Sequence, residues 1–234
     1  MQGWEGPLPP PDVRLVEDMR SVLATPDCWE EGALYVMFRD LALTPEDRDW
    51  LSAEQLRYDI TAITSREICG ERAKTKGHYH PDAPSGIGYP EIYQVLSGHA
   101  HYLLQKRDVS DVVLVDAQAG DIVIVPPGYG HVTINAGDSD LIMANIVSSA
   151  FESRYGDYEE RRGAAYYERA DGTLVRNPAY PEARDLRTIS AGGLRDQIAL
   201  PPGDLYNLVG TGHLAFLNNP GSGIQLFRAF LPTG

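Results

Sequence analysis

The sequence predicts an all-β fold, built as an antiparallel barrel or sandwich. Short apolar runs recur from about residue 33: Ala33–Phe38, Tyr58–Ile63, Ile92–Leu96, Tyr102–Leu104, Val112–Val115, Ile122–Val125, Val132–Ile134 and Leu141–Val147. Turn signals separate them, at Ser97-Gly98, Ala119-Gly120-Asp121, Pro126-Pro127-Gly128 and Ala136-Gly137-Asp138. With 23 Gly and 17 Pro in 234 residues, the chain is rich enough in breakers for many tight turns. Many short strands between frequent turns are the mark of such architectures. The absence of strand–helix–strand alternation argues against a Rossmann fold.

In chain order, residues 1–11 read as an extended lead, because their prolines block regular structure. Apolar residues at Val13, Val16, Met19, Val22 and Leu23 have a three-to-four spacing that predicts one short helix ending before Pro26. The barrel occupies about residues 30–150. Residues 150–200 are polar and rich in Tyr, Arg and Glu, and apolar texture returns at Leu205–Val209, Leu214–Leu217 and Ile224–Leu231. The expected division is a lead with its helix (1–29), a barrel with flanking segments (30–180) and an irregular extension (181–234). That extension either adds strands to the core or forms an oligomer contact.

The formal charge of −13 disfavours nucleic acid and anionic membranes, so neither is an expected partner. An anionic substrate must then be met by a local set of donors. The N-terminus lacks the basic and apolar regions of a secretory signal, and no apolar run approaches the roughly 20 residues of a membrane span. The expected location is cytoplasmic. Cys28 and Cys69, the two cysteines, are too few for a disulfide scaffold or a cysteine-rich zinc site.

The histidines carry the chemical signal. His78 and His80 lie in Thr75-Lys-Gly-His-Tyr-His80, and alternate residues of a strand share a face. Glu91 follows eleven positions after His80, and Gly98 seven after Glu91. Gly120, Pro126, Gly128, His131 and Asn135 form a second block after a strand and a tight turn. A lone His-x-His pair in an acidic protein is commonly just a surface or core pair, but Glu91 and the second block add the rest of a ligand set. Three imidazoles and a carboxylate suit Fe(II), Mn(II), Zn(II), Ni(II) or Co(II), and disfavour Ca(II). His99 and His101 have no carboxylate following at suitable spacing and read as outer residues around that site. His213 has no companion.

The two blocks resemble the cupin motifs. The second matches Gly-x5-Pro-x-Gly-x2-His-x3-Asn at every position. The first, Gly-x5-His-x-His-x3-4-Glu-x6-Gly, is matched by His78, His80, Glu91 and Gly98; Arg72 replaces its leading glycine, and residues 81–90 lengthen the loop before Glu91. The likeness implies the cupin double-stranded β-helix, a jelly-roll-like antiparallel barrel. More narrowly, Thr75-Lys-Gly-His-Tyr-His80, Pro90-Glu-Ile-Tyr-Gln-Val-Leu-Ser-Gly98, Leu103-Leu-Gln105, Val125-Pro-Pro-Gly-Tyr-Gly-His131, Tyr155-Gly156, Asp171-Gly172 and Asn177-Pro178 resemble the archaeal-type, cupin-fold glucose-6-phosphate isomerases, over about residues 55–180.

That resemblance implies a metal-dependent aldose–ketose isomerase of glycolysis and gluconeogenesis, interconverting glucose 6-phosphate and fructose 6-phosphate. It would place one divalent transition metal, Fe(II) first among the candidates, on His78, His80, Glu91 and His131. It would place the sugar phosphate against Thr61, Thr75, Gly77 and Tyr155. The aromatic residue the family carries soon after Tyr155 has no match, Tyr158 coming too early and Tyr166 too late. Glu91 is the natural proton shuttle between C1 and C2, and a hydride shift is the other route. Tyr93 shares the face of Glu91 and either contacts substrate or fills the barrel. Lys74 and Lys76 flank Thr75, as phosphate donors or as solvated charges. A different metal-dependent cupin enzyme, such as another sugar isomerase or a dioxygenase, and a non-enzymatic sugar-binding cupin are the alternatives. The lead and an uncovered apolar tail suggest a homodimer.

Overall fold

The structure, a computed structural model, describes residues 4–231. The first three residues of the lead and the last three of the tail lie outside the described residues.

Two sheets make the body. The larger has six strands in the order β1 (Asp12–Leu15), β2 (Ala33–Phe38), β3 (Leu56–Ile63), β11 (Leu141–Ser148), β6 (Glu91–Ser97) and β9 (Ile122–Val125). The smaller has four, in the order β10 (Tyr129–Asn135), β7 (His99–Lys106), β8 (Val112–Gln118) and β14 (Arg187–Ser190). Short pairs complete the set: β4 (Glu67–Ile68) with β5 (Glu71–Arg72), and β12 (Tyr166–Glu168) with β13 (Leu174–Arg176). Every pairing is antiparallel except that of β14 with β8. The expected antiparallel cupin barrel is therefore present.

Alternation along the strands assigns the faces. On β6, Glu91, Tyr93 and Val95 point inward, and Ile92 and Gln94 point out. On β3, Arg57, Asp59 and Thr61 face the interior, while Tyr58 packs outward against Trp4 and Tyr206.

The tail covers this outer face. Leu205 N–H donates to Gln94 Oε1 at 2.7 Å, the Tyr206 hydroxyl donates to Asp47 at 2.9 Å, and Leu205, Leu208, Leu214, Phe216, Leu217, Phe227 and Phe230 are buried. The tail thus adds a strand, β14, and a lid of short helical turns to its own chain. The expectation of a dimer through an uncovered tail loses that ground, because these apolar residues are already buried.

The expected short N-terminal helix is cut down. Residues 12–15 pair with β2, and a 3₁₀ helix follows over Glu17–Val22. Val16, Met19 and Val22 are fully buried and spaced by three, the 3₁₀ period; Val13 is on the strand and 46% exposed. The free edge of β2 offers Val13 a ladder that a helix would forfeit.

A helix that the apolar pattern hides, α1 (Pro45–Ala53), connects β2 and β3. Its start is written in Thr44-Pro45: Thr44 Oγ1 accepts from Asp47 N–H at 3.1 Å, and Pro45 fits the first turn. A second short helix, α2 (Gly156–Glu160), follows the barrel.

Cys28 and Cys69 are joined as a disulfide with their Cα atoms 5.8 Å apart. Two cysteines do not make a scaffold, but they do make one staple, tying the segment before β2 to the turn between β4 and β5. No helix among the described residues is long and apolar enough to cross a membrane.

Candidate active site

β6 and β10 bring the carboxylate and the third histidine together across the barrel, and a short extended segment brings the first two. His78 forms an isolated antiparallel bridge with His131, with His78 N–H donating to His131 O at 3.2 Å and His131 N–H to His78 O at 3.1 Å. That bridge fixes the two imidazoles side by side, with ring centroids 4.4 Å apart. His80 follows on the same face, its Nε2 3.1 Å from His78 Nε2. Glu91 Oε2 lies 3.3 Å from both His80 Nε2 and His131 Nε2.

The four side chains can each offer one ligand atom within 4.8 Å of the others. The donor set fits a transition metal on further grounds. His80 Nδ1–H donates to Tyr89 O at 3.0 Å, which fixes the tautomer and leaves Nε2 with its lone pair. His78 Nε2 and His80 Nε2 face each other, and Glu91 Oε2 is buried with no hydrogen-bond partner. An orphaned, buried carboxylate oxygen beside imidazole nitrogens is a costly arrangement that a cation relieves.

The electrostatics keep these groups in the ligating form. Burial, then the neighbouring imidazoles of His131 and His80, holds His78 well below the ordinary histidine range. Burial also lowers His131, against the opposing pull of Glu91. Burial pushes Glu91 up, but the His131 and His80 rings, each 3.3 Å from its Oε2, outweigh it and hold the carboxyl well below the usual range. His78 and His131 as neutral imidazoles and Glu91 as an ionised carboxylate need lose no proton to take a metal.

The site opens into a cavity of about 460 Å³. Thr61, Thr75, Gly77, Tyr93 and Tyr155 all line it, together with the four candidate ligands. Tyr93 Oη sits 3.0 Å from His131 Nε2, and burial together with the Glu91 charge keeps the phenol protonated far above its ordinary range. Thr75 Oγ1 accepts from Thr133 N–H at 2.9 Å, leaving its hydroxyl proton free to donate. Gly77 adopts φ +81°, and a Cβ there would meet Val132 Cγ2 at 2.6 Å and Tyr158 Cδ1 at 2.8 Å. Tyr158 is fully buried against Gly77 and Tyr79, so it is core rather than cavity wall.

The two lysines part company. Lys76 lines the cavity, and its Nζ reaches Glu159 at 2.6 Å. Lys74 turns the other way, buried in an ion pair with Glu71 beneath the ring of Tyr167. His99 and His101 are not outer residues of this site. They face the far side of the smaller sheet, with Asp116 and Glu168.

Several cavity residues escaped the sequence reading. Asn145 on β11 donates to Glu91 Oε1 at 2.7 Å. Asp59 on β3 is buried between Arg57 (2.8 Å) and Arg39 (3.4 Å), and both arginines line the cavity. Phe151 stacks on Tyr89, from the lengthened 81–90 loop, and tilts against His80. A polar residue amid the apolar run of Leu141–Ser148 was the available signal for Asn145, and an acid alternating with Arg57 and Thr61 in Leu56–Ile63 was that for Asp59.

A family model described as glucose-6-phosphate isomerase (GPI) matches residues 13–184. The glucose-6-phosphate isomerase of Thermococcus litoralis is 28% identical over 167 residues, covering 70% of this chain and 83% of that protein. That of Pyrococcus abyssi is 28% identical over 152 residues, covering 64% and 76%. Among solved structures, a Bacillus subtilis oxalate decarboxylase overlaps 53% of this chain and 28% of its own, with a TM-score of 0.36 and 18% identity. The family match takes in every candidate ligand and cavity residue and stops just before β14. The chain belongs to the glucose-6-phosphate isomerase family.

Proposed function

We propose that this protein interconverts glucose 6-phosphate and fructose 6-phosphate with one divalent transition metal held by His78, His80, Glu91 and His131, Fe(II) being the first candidate. The observation that carries the reading is one cavity lined by two kinds of group. Three imidazoles and a carboxylate converge within 4.8 Å of one another, and Thr61, Thr75, Lys76, Gly77 and Tyr155 line the same cavity. Bound there, the metal would supply a Lewis acid to the carbonyl end of the sugar.

The protein's own residues do the rest. Thr61 and Thr75 offer hydroxyls, Gly77 a closely approachable backbone, and Lys76 a cation to the phosphate. Gripping the substrate far from the reacting carbons holds C1 and C2 in register. Glu91 takes a proton from one of those carbons and returns it to the other, while Asn145 keeps the carboxylate from rotating. Tyr93, kept neutral, donates to a sugar oxygen.

A coupled assay of the metal-loaded protein on fructose 6-phosphate tests the reading. Turnover is expected with the phosphate ester, and far slower turnover with fructose. Equal rates would remove the phosphate cradle, and binding without turnover would favour a sugar-binding role. Solvent deuterium entering the product at C1 or C2 supports proton transfer. Its absence, with Glu91→Gln still active, would move the chemistry to a hydride shift.

A further inference from the structure

We propose that the outer face of the smaller sheet carries a second divalent-metal site, formed by His99, His101 and Asp116 and oriented by Glu168. His99 and His101 lie two apart on β7 and share a face. Asp116 on β8 stands directly opposite His101 in register, so it is diagonal to His99. Their ligand atoms lie within 4.8 Å of one another.

Glu168 is what separates this cluster from a chance group of polar side chains. It is only 3% exposed, sits on β12 and accepts from His101 Nδ1–H at 2.7 Å. Arg72 pairs with its other oxygen at 3.4 Å. An ionised carboxylate only accepts, so the proton of a neutral His101 is on Nδ1 and the lone pair is on Nε2. That lone pair faces Asp116 Oδ1 across 3.8 Å, too far for a hydrogen bond. A buried carboxylate that fixes an imidazole through one nitrogen and aims the other at a second acidic group is the arrangement found around metal-ligating histidines.

The spacing suits an ion. Ligand atoms around a four-coordinate metal with bonds of roughly 2.0–2.1 Å stand about 3.3 Å apart. The His101–Asp116 separation of 3.8 Å must close slightly, and the 2.5 Å contact of His99 Nε2 with Asp116 Oδ1 must open by less than an ångström. All three side chains are partly exposed, so water completes the coordination. Two imidazoles and one carboxylate select a borderline divalent ion, Zn(II), Ni(II) or Cu(II), over Ca(II) or Mg(II).

Zinc stoichiometry, measured on the full chain by equilibrium dialysis against zinc chloride and elemental analysis, tests this. Wild type is expected to hold one more zinc per chain than the double variant His99→Gln/His101→Gln. His131→Ala, which disrupts the barrel site, is expected to keep the outer zinc. Glu168→Gln is expected to weaken the outer site by roughly 10–100-fold. If the double variant fails to fold by circular dichroism, Asp116→Asn, altered on a half-exposed side chain, carries the same comparison. Equal zinc uptake by wild type and the variant lacking the outer ligands overturns the proposal, whatever the fate of the isomerase assay.

Discussion

Asn145 Nδ2 donates to Glu91 Oε1 over 2.7 Å, and that bond leaves Oε2 as the carboxylate oxygen turned toward the imidazoles. The pair is a register relationship: β11 and β6 are neighbours, with Asn145 opposite Tyr93 and Val147 opposite Glu91. Glu91 is therefore held from its own sheet and meets His131 from the other.

Removing that support should loosen the carboxylate without deleting it. Asn145→Ala is expected to lower turnover of fructose 6-phosphate or metal affinity by roughly 10–100-fold, the range for lost outer hydrogen bonds at such sites. Steady-state kinetics and metal content, measured on the same preparation, check it. An unchanged kcat with unchanged metal would mean that Glu91 is positioned by the histidines alone.

Glu91 itself gives a sharper contrast. Glu91→Gln keeps a neutral oxygen in place but removes the base. Turnover is expected to fall by roughly 10²–10⁴ while the metal is partly retained. Tyr93→Phe, which removes the hydroxyl near His131 and keeps the ring, should lose far less. A Tyr93→Phe loss as large as that of Glu91→Gln would move the proton transfer toward the phenol.

The barrel and its four candidate ligands were legible because each rests on local sequence. Strand alternation aligns His78 with His80, and a tight Pro-Pro-Gly turn delivers His131. What stayed hidden depends on chain segments distant in sequence. Lys74 and Lys76 look alike beside Thr75, yet the ring of Tyr167 covers one in the core and Glu159 meets the other at the cavity. His101 cannot be placed from its neighbours in sequence, because its partner, Glu168, is 67 residues away. The Cys28–Cys69 pairing likewise spans 41 residues, with no spacing rule to announce it. The tail's role turned on Gln94 and Tyr58 facing outward from the larger sheet, visible only once strand direction is known.

That disulfide should matter for stability. Closing a loop of this length restricts the unfolded chain by about 4 kcal/mol in the chain-entropy picture. Cys28→Ser/Cys69→Ser is expected to lower the melting temperature by about 8–16 °C if the whole amount is realised. Calorimetry with and without reductant checks it, with mass spectrometry reporting the thiol state. A melting temperature indifferent to both changes would mean the two ends are held equally well by surrounding contacts, such as the 2.7 Å bond from Cys69 N–H to Glu30.

Gly77 is a steric demand. At φ +81°, an alanine is strained, and its Cβ would press on Val132 and Tyr158. Gly77→Ala is expected to destabilise the fold by roughly 2 kcal/mol or more, read as a lower denaturation midpoint. A fully stable variant would show that the segment before His78 can shift without cost.

The pH response of the metal-free protein follows from the same cluster. His78 and His131 are held neutral by burial, below the histidine value of about 6.5 that they regain on unfolding. Between their folded values and about 6.5 the unfolded chain binds more protons, so stability must fall as the pH is lowered through that window. Glu91 works in the same direction further down. Its folded value lies well below the ordinary carboxylate range, so the stability it contributes is present above that range and is lost as the pH drops through the folded value. The melting temperature in chelator should therefore level off above about pH 7 and decline steadily below about 6.5. His131→Gln should flatten the upper part of the decline, because one of the two titrating imidazoles is gone. Bound metal should steepen it, since protons then compete with the ion for the same nitrogens. Calorimetric scans from pH 5 to 8, with chelator and with metal, decide the matter. A melting temperature that rises on acidification would mean that His78 and His131 charge in the folded state and pair with Glu91 as cations, which is incompatible with two neutral imidazoles poised for a metal.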